Sequence, residues 1–178
     1  MSNHALIIRN ASLADLDELV VFARNAFRDT YRGLDDPQDI EDYCLNELTP
    51  NYFSEHINAS AAKVLLAISE NELVGYAIVT QSPTPECVKT PAAIELARLY
   101  LRVDKKGLGL GASLMRAVQN EARRFHAQSI WLSVYDRNTR AVEFYRKWGF
   151  VDVGAKPFRF GGRIYFDPVM CAPLQDGT

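Results

Sequence analysis

Lys106-Gly107-Leu108-Gly109-Leu110-Gly111-Ala112-Ser113 is the stretch on which the reading of this chain turns. Apolar alternation from Ile94 to Val103 predicts a strand directly before it, and an amphipathic pattern from Gly109 to about His126 predicts a long helix directly after it. Glycines at such a turn let the backbone come close to a ligand. The free N–H groups of the first helical turn, with the helix dipole behind them, then suit an anion such as a pyrophosphate.

Several uses of this turn compete. It could be a tight strand-to-helix connection with no ligand. A Rossmann dinucleotide site places its glycines on the first βα unit, with an acidic residue about 20 residues on. Here the turn sits mid-chain, and the following strand, Ile130 to Val134, runs into Tyr135 and Asp136. A P-loop closes on Gly-Lys-Ser/Thr, whereas this turn closes on Gly111-Ala112-Ser113. Coenzyme A is the pyrophosphate carrier left by that comparison.

Outward from the turn, strands and helices alternate. Leu6 to Arg9 reads as a short strand, then Ser12 as an N-cap with Asp15 three residues on, opening a helix with Leu16, Leu19, Val20, Ala23 and Phe27 on one face. Asp36-Pro37 and Thr49-Pro50 each pair a capping residue with a proline at the first helical position, predicting two further helices, the second to about Asn58. Lys63 to Ser69 and Leu73 to Gln81 form a hairpin around Glu70-Asn71-Glu72, and Pro83, Pro85 and Pro91 mark a loop. After Ile130 to Val134 come a helix from Thr139 to Trp148 and two strands, Val151 to Phe158 and Ile164 to Met170, joined at Gly161-Gly162. The sum is an α/β fold, a mixed central sheet of about seven strands flanked by about four to five helices.

With 178 residues, 48% hydrophobic and 24% charged, the chain has enough apolar material for one compact domain spanning 1–178 without staples. Met1-Ser2-Asn3-His4 leads directly into Leu6, Ile7 and Ile8, too short an apolar run for a signal peptide, and no run reaches membrane-spanning length. Cys44, Cys87 and Cys171 are odd in number and widely spaced, outside any metal-ligand pattern, which predicts reduced packing thiols in a cytoplasmic protein. A net charge of −2 supplies no basic face for nucleic acid.

Glu95-Leu96-Ala97-Arg98-Leu99-Tyr100-Leu101, the turn ending Gly109-Leu110-Gly111, and Asn138 to Phe150 occur in the order found in the GNAT superfamily of N-acetyltransferases, which this chain resembles over nearly its whole length. The family turn usually begins with Arg or Gln; Lys106 holds that place here and keeps the positive charge. Ile130-Trp131-Leu132, Ala141, Phe144-Tyr145 and Phe160-Gly161-Gly162 through Met170 look like the bacterial PaiA-type spermidine/spermine acetyltransferases.

The resemblance implies acetyl-CoA as cosubstrate, no metal, and a small amine as acceptor, possible polyamines included. It implies that Leu99, Tyr100 and Leu101 lie along the pantetheine arm, the backbone of Leu99 and Leu101 pairing with it. It implies that Lys106, Gly107, Leu108, Gly109, Leu110, Gly111 and Ser113 hold the pyrophosphate, and that Asn138 reaches the amide arm. Tyr145 stands where the family places its general acid, and it counts among the cofactor contacts too.

Acetyl transfer to an amine needs a neutral nucleophile, stabilisation of an oxyanion and a proton for the departing thiolate. The Leu101 N–H suits the oxyanion. Tyr145 suits the thiolate, because a phenol keeps its proton at neutral pH; the competing reading is a core aromatic on a helix. Spermidine-type relatives often carry Glu where this chain has Ala97, so Glu95, on the same strand face, is the candidate base acting through water, against a surface or ion-paired carboxylate. Asp35, Asp36, Asp39, Glu41, Asp42 and Glu47 form an acidic run, either an acceptor wall or a solvated helix face. A peptide acceptor and a non-turnover acetyl-CoA sensor remain alternatives, and the chain could be a monomer or a homodimer.

Overall fold

A computed structural model describes residues 6–105 and 109–174. Its strands are β1 (Ile7–Asn10), β2 (Ala62–Ser69), β3 (Glu72–Thr80), β4 (Ala93–Leu101), β5 (Ser129–Ser133), β6 (Val151–Phe160) and β7 (Arg163–Pro173). Its helices are α1 (Leu16–Tyr31), α2 (Pro37–Asn46), α3 (Pro50–Asn58), α4 (Leu110–Arg124) and α5 (Thr139–Lys147), with one 3₁₀ turn ahead of α1 at Leu13–Asp15 and another after β4 at Val103–Lys105. The strands form one sheet in the order β1-β2-β3-β4-β5-β7-β6, antiparallel except for the β4–β5 pair. None of the described helices is long and apolar enough to cross a membrane.

The local signals act as their chemistry dictates. The Asp36 carboxylate accepts from Gln38 N–H at 2.8 Å and the Thr49 hydroxyl from Tyr52 N–H at 3.1 Å, each satisfying an orphan donor beside a proline at the first helical position. The β6–β7 turn rests on two left-handed residues, Gly161 and Gly162 at φ +55° and +71°, the geometry a two-residue hairpin turn needs. Helix α4 ends with His126 in the same region at φ +56°, its N–H bonded to Arg123 O while Ala127 N–H reaches Ala122 O. Histidine is strained there and glycine is not. His126→Gly should therefore raise stability by about 0.5–1 kcal/mol, since the side chain is exposed, and a thermal melt should rise by roughly 1–4 °C.

Because β2 and β3 are covered on both sides, they are apolar almost throughout, and alternate residues feed two cores. Leu65, Ala67, Val74, Ala77 and Val79 join Leu114, Met115 and Val118 of α4. Val64, Leu66, Tyr76 and Ile78 join Leu19, Ala23 and Phe27 of α1, Ile40 of α2 and Phe53 of α3. The proline-marked loop before β4 is pinned by Val88, which is buried with Trp131 and Val169. All three cysteines are free thiols; Cys44 and Cys171 are buried.

Two irregularities in β4 shape everything that follows. Ile78 faces Arg98 but Val79 faces Leu96, so Ala97 is the extra residue of a β-bulge. The bulge reverses the alternation: Ile94 and Leu96 point into the α4 core before it, Leu99 and Leu101 after it, while Ala97 and Tyr100 turn toward α1–α3. The second irregularity is on the other edge. β4 pairs with β5 only through Ala93, Ile94 and Glu95 against Ser129, Ile130 and Trp131, after which the two strands part.

Candidate active site

From Leu96 to Leu101, β4 keeps β3 on one side and no strand on the other. Arg102 N–H donates to Val74 O at 2.9 Å, and this fixes the phase of the ladder. In an antiparallel pair, alternate residues turn their N–H and C=O to opposite sides. Tyr100 therefore bonds toward β3, and Leu99 and Leu101 present their backbone groups to the split. A cavity of about 710 Å³ fills that split and continues toward α1.

Close packing holds the Leu101 side chain in place. A Cβ added to Gly75 of β3 would lie 2.5 Å from Leu101 Cδ2, and one added to Gly111 of α4 would lie 3.3 Å from Leu101 Cδ1 and from Phe144 of α5. The two glycines thus let β4, α4 and α5 approach around one leucine. At the start of α4, Gly109 takes φ +80° with open space around its missing side chain, so conformation rather than crowding selects it. The first intrahelical bond runs from Ser113 N–H to Gly109 O at 3.1 Å, leaving the N–H groups of Leu110, Gly111 and Ala112 without a helical acceptor.

Leu99, Tyr100, Leu101, Gly109, Gly111, Asn138, Tyr145 and Glu95 all line the cavity. Leu110 instead packs against the α4 core, and Ser113 accepts a bond from Arg116 at 3.3 Å; neither lines it. Lys106, Gly107 and Leu108 lie outside the described residues. Asn138 caps α5, its side-chain oxygen accepting from Ala141 N–H at 3.3 Å, so its amide nitrogen is the end left for other partners.

Tyr145 is placed by the way α5 stops. Gly149 at φ +82° closes the helix, Phe150 N–H returns to Tyr145 O at 3.1 Å, and the Phe150 ring packs 5.6 Å from that of Tyr145. The Tyr145 side chain is 8% exposed, yet no described residue hydrogen-bonds its hydroxyl. Burial, with Tyr100 nearby, pushes its pKa well above the ordinary tyrosine value, so the hydroxyl is a proton donor at any physiological pH. Glu95 sits at the closed end of the split, opposite Trp131, with Oε2 bonded to the Ser82 hydroxyl at 2.5 Å. It is half-buried rather than a free surface carboxylate, and no described residue forms an ion pair with it.

The acidic run disperses. Glu41 pairs with Arg28 at 2.8 Å, Asp36 caps α2, and Asp42 accepts from Gln38; of these acids only Asp35 lines the cavity, accepting from Tyr135 Oη at 3.2 Å. Two cavity residues went unassigned in the sequence. Arg98 donates to Tyr43 Oη at 2.8 Å and lies over the Tyr43 and Tyr52 rings at 5.6 and 5.5 Å, with no carboxylate partner among the described residues. The signal for it is a second charged residue, after Glu95, inside a mainly apolar central strand. Asp167, on β7, was equally conspicuous as the acid within an apolar strand.

Asp167 is 7% exposed. Burial, with Asp136 and Asp35 nearby, lifts its pKa from 3.8 to about 6, against a smaller opposing effect of Lys156. The folded state then holds the proton more tightly than the unfolded one, so this group's contribution to stability falls as pH rises through that interval. In thermal melts, Asp167→Asn should match the wild-type protein near pH 3.5 and exceed it above about pH 6.

Residues 22–150 match the acetyltransferase (GNAT) family. An uncharacterised N-acetyltransferase of Mycobacterium bovis is 30% identical over 162 residues, covering 91% of this chain and 99% of that protein. The spermine/spermidine N(1)-acetyltransferase of Bacillus subtilis is 28% identical over 99 residues, 55% of this chain and 60% of its own length. Among solved structures, the PaiA N-acetyltransferase from Thermoplasma acidophilum in complex with coenzyme A superposes with a TM-score of 0.80 at 22% identity, covering 95% of this chain and 99% of that one, and shares the fold. A split sheet, a glycine-opened helix and a buried phenol between them thus coincide with a family match over most of the sequence: the chain belongs to the acetyltransferase (GNAT) family.

Proposed function

We propose that this protein transfers the acetyl group of acetyl-CoA to a primary amine of a small molecule. The observation that carries the reading is the open edge of β4, which shares its cavity with the hydroxyl of a buried tyrosine that no described residue hydrogen-bonds. Leu99 and Leu101 offer backbone groups suited to the secondary amides of a pantetheine arm, and the leading N–H groups of α4 suit its pyrophosphate. Acetyl-CoA, when bound, supplies an electrophilic carbonyl and a thiolate leaving group. The Leu101 N–H is the donor for negative charge on the carbonyl oxygen, and Tyr145 gives its proton to the sulfur.

Small acceptors are favoured by the aromatic wall of the cavity where Tyr43, Phe158 and Phe160 pack ring to ring. Polyamines are one class within this reading, supported by the name of the Bacillus subtilis relative and by the acids Asp35, Glu95 and Asp167 along the wall; Arg98 and Lys156 line it too and oppose a second positive charge. The three free thiols fit a reducing compartment, the cytoplasm.

The test is release of CoA thiol from acetyl-CoA with spermidine, spermine, shorter diamines, aminoglycosides and short peptides. Turnover with a small amine sustains the proposal. Turnover with peptides alone changes the acceptor to a protein terminus or lysine. Binding of acetyl-CoA without turnover of any amine favours a sensor, and failure to bind acetyl-CoA overturns the whole reading.

A further inference from the structure

Asp167 lies where β7 passes the end of β5. Ser133 faces Val169 in the ladder and Val134 N–H reaches Pro168 O at 3.1 Å, so the next step of the register sets Tyr135 across from Asp167. The residue is more than nine-tenths buried, its carboxylate faces the cavity that it lines, and no hydrogen bond or ion pair holds it among the described residues. The charged groups around it do not neutralise it. Lys156 is its cross-strand partner on β6, but that ammonium lies over the Trp131 ring at 5.3 Å. Asp35, from the link between α1 and α2, and Asp136, after β5, add negative charge of their own.

A carboxylate partly shielded from water, crowded by other acids and without an ion pair among the described residues is an arrangement that an arriving ammonium group improves. Tyr135 and Tyr165, whose rings meet edge to face at 6.1 Å, supply aromatic surface beside it, which also favours a cation. Glu95 is less suited, because one of its oxygens is already bonded to Ser82 at the closed end of the split.

We propose that Asp167 receives the ammonium group of the acceptor and takes its proton, acting as the base of the transfer; this rests on the acetyltransferase reading above. One ammonium N–H bond breaks, its proton passing to an Asp167 oxygen and its electron pair staying on nitrogen. The C–N bond forms and the C–S bond breaks. The thiolate takes the Tyr145 hydroxyl proton, and the second proton shed by nitrogen restores Tyr145. A pKa of about 6 leaves Asp167 ionised at neutral pH while keeping it basic enough to accept a proton.

The experiment is calorimetric titration of spermidine, benzylamine and tyramine into protein saturated with CoA, near neutral pH, for the wild type and Asp167→Asn. At least one amine should bind the wild type saturably and lose about tenfold or more in affinity to the variant, as expected for a lost bond to a charged group. CoA affinity should stay within about twofold, the two sites being separate. The variant is expected to fold, since the substitution removes a buried charge. Equal amine binding by the two proteins, or no amine binding to the wild type, overturns the assignment of Asp167 and leaves donor binding standing. Failure of the wild type to bind CoA removes the acetyltransferase reading and this one together.

Discussion

Replacing Tyr145 with phenylalanine should lower kcat by about 10²- to 10⁴-fold while leaving the affinity for acetyl-CoA nearly unchanged. The lost group is one hydroxyl, and no described residue hydrogen-bonds it, so little native structure depends on it. Removing a cavity-facing hydroxyl that no described residue bonds leaves no orphan behind and should be close to neutral for stability. That separation makes the experiment decisive. A tyrosine that only fills the core would give the opposite pattern, unchanged turnover with or without a shift in melting. Steady-state kinetics on any accepted amine, with a denaturant titration of the same preparation, reads both quantities.

Trp131→Ala should be the most damaging single truncation for stability, at about 3–5 kcal/mol. The indole is 1% exposed and carries three attachments. Its strand position closes the parallel β4–β5 pair opposite Glu95, its ring packs with Val88 and Val169, and Lys156 lies over its face. Its indole N–H has no partner among the described residues, so Trp131→Phe, which keeps an apolar ring and removes that donor, should cost far less, below about 1.5 kcal/mol. Urea midpoints of the two variants check the ratio. Equal losses would mean that the packing around the ring matters less than its geometry suggests.

Much of the scaffold was legible because its signals are local. A cap and a proline at Asp36-Pro37 or Thr49-Pro50 need no knowledge of distant residues, and neither do two glycines at a hairpin turn or the alternation that runs through β2 and β3. Resemblance carried Tyr145 and Leu99 to Leu101 into the same cavity, where their burial and ladder phase suit the roles assigned to them. What stayed hidden is non-local. The split exists because Ser129–Trp131 pairs with Ala93–Glu95 and then stops, a register no window of sequence contains. Asp167 differs from an ordinary strand-edge acid only through where Lys156 and Asp35 come to rest, and Arg98 only through two tyrosines some fifty residues away. Charge run and acceptor wall also parted company, because helix α2 spends its acids on Arg28 and on its own first turn.

The extra residue at Ala97 works like a shift of reading frame. Downstream of it, odd positions join the α4 core and even positions face α1–α3, so Arg98 and Tyr100 can be exchanged for other residues while Leu99 and Leu101 keep their seats. On the proposed reading, drift at every second position of this one strand would alter the acceptor wall and spare the donor wall. Because Ala97 is the surplus residue, deleting it would return the strand to plain alternation and leave both sets on their present faces.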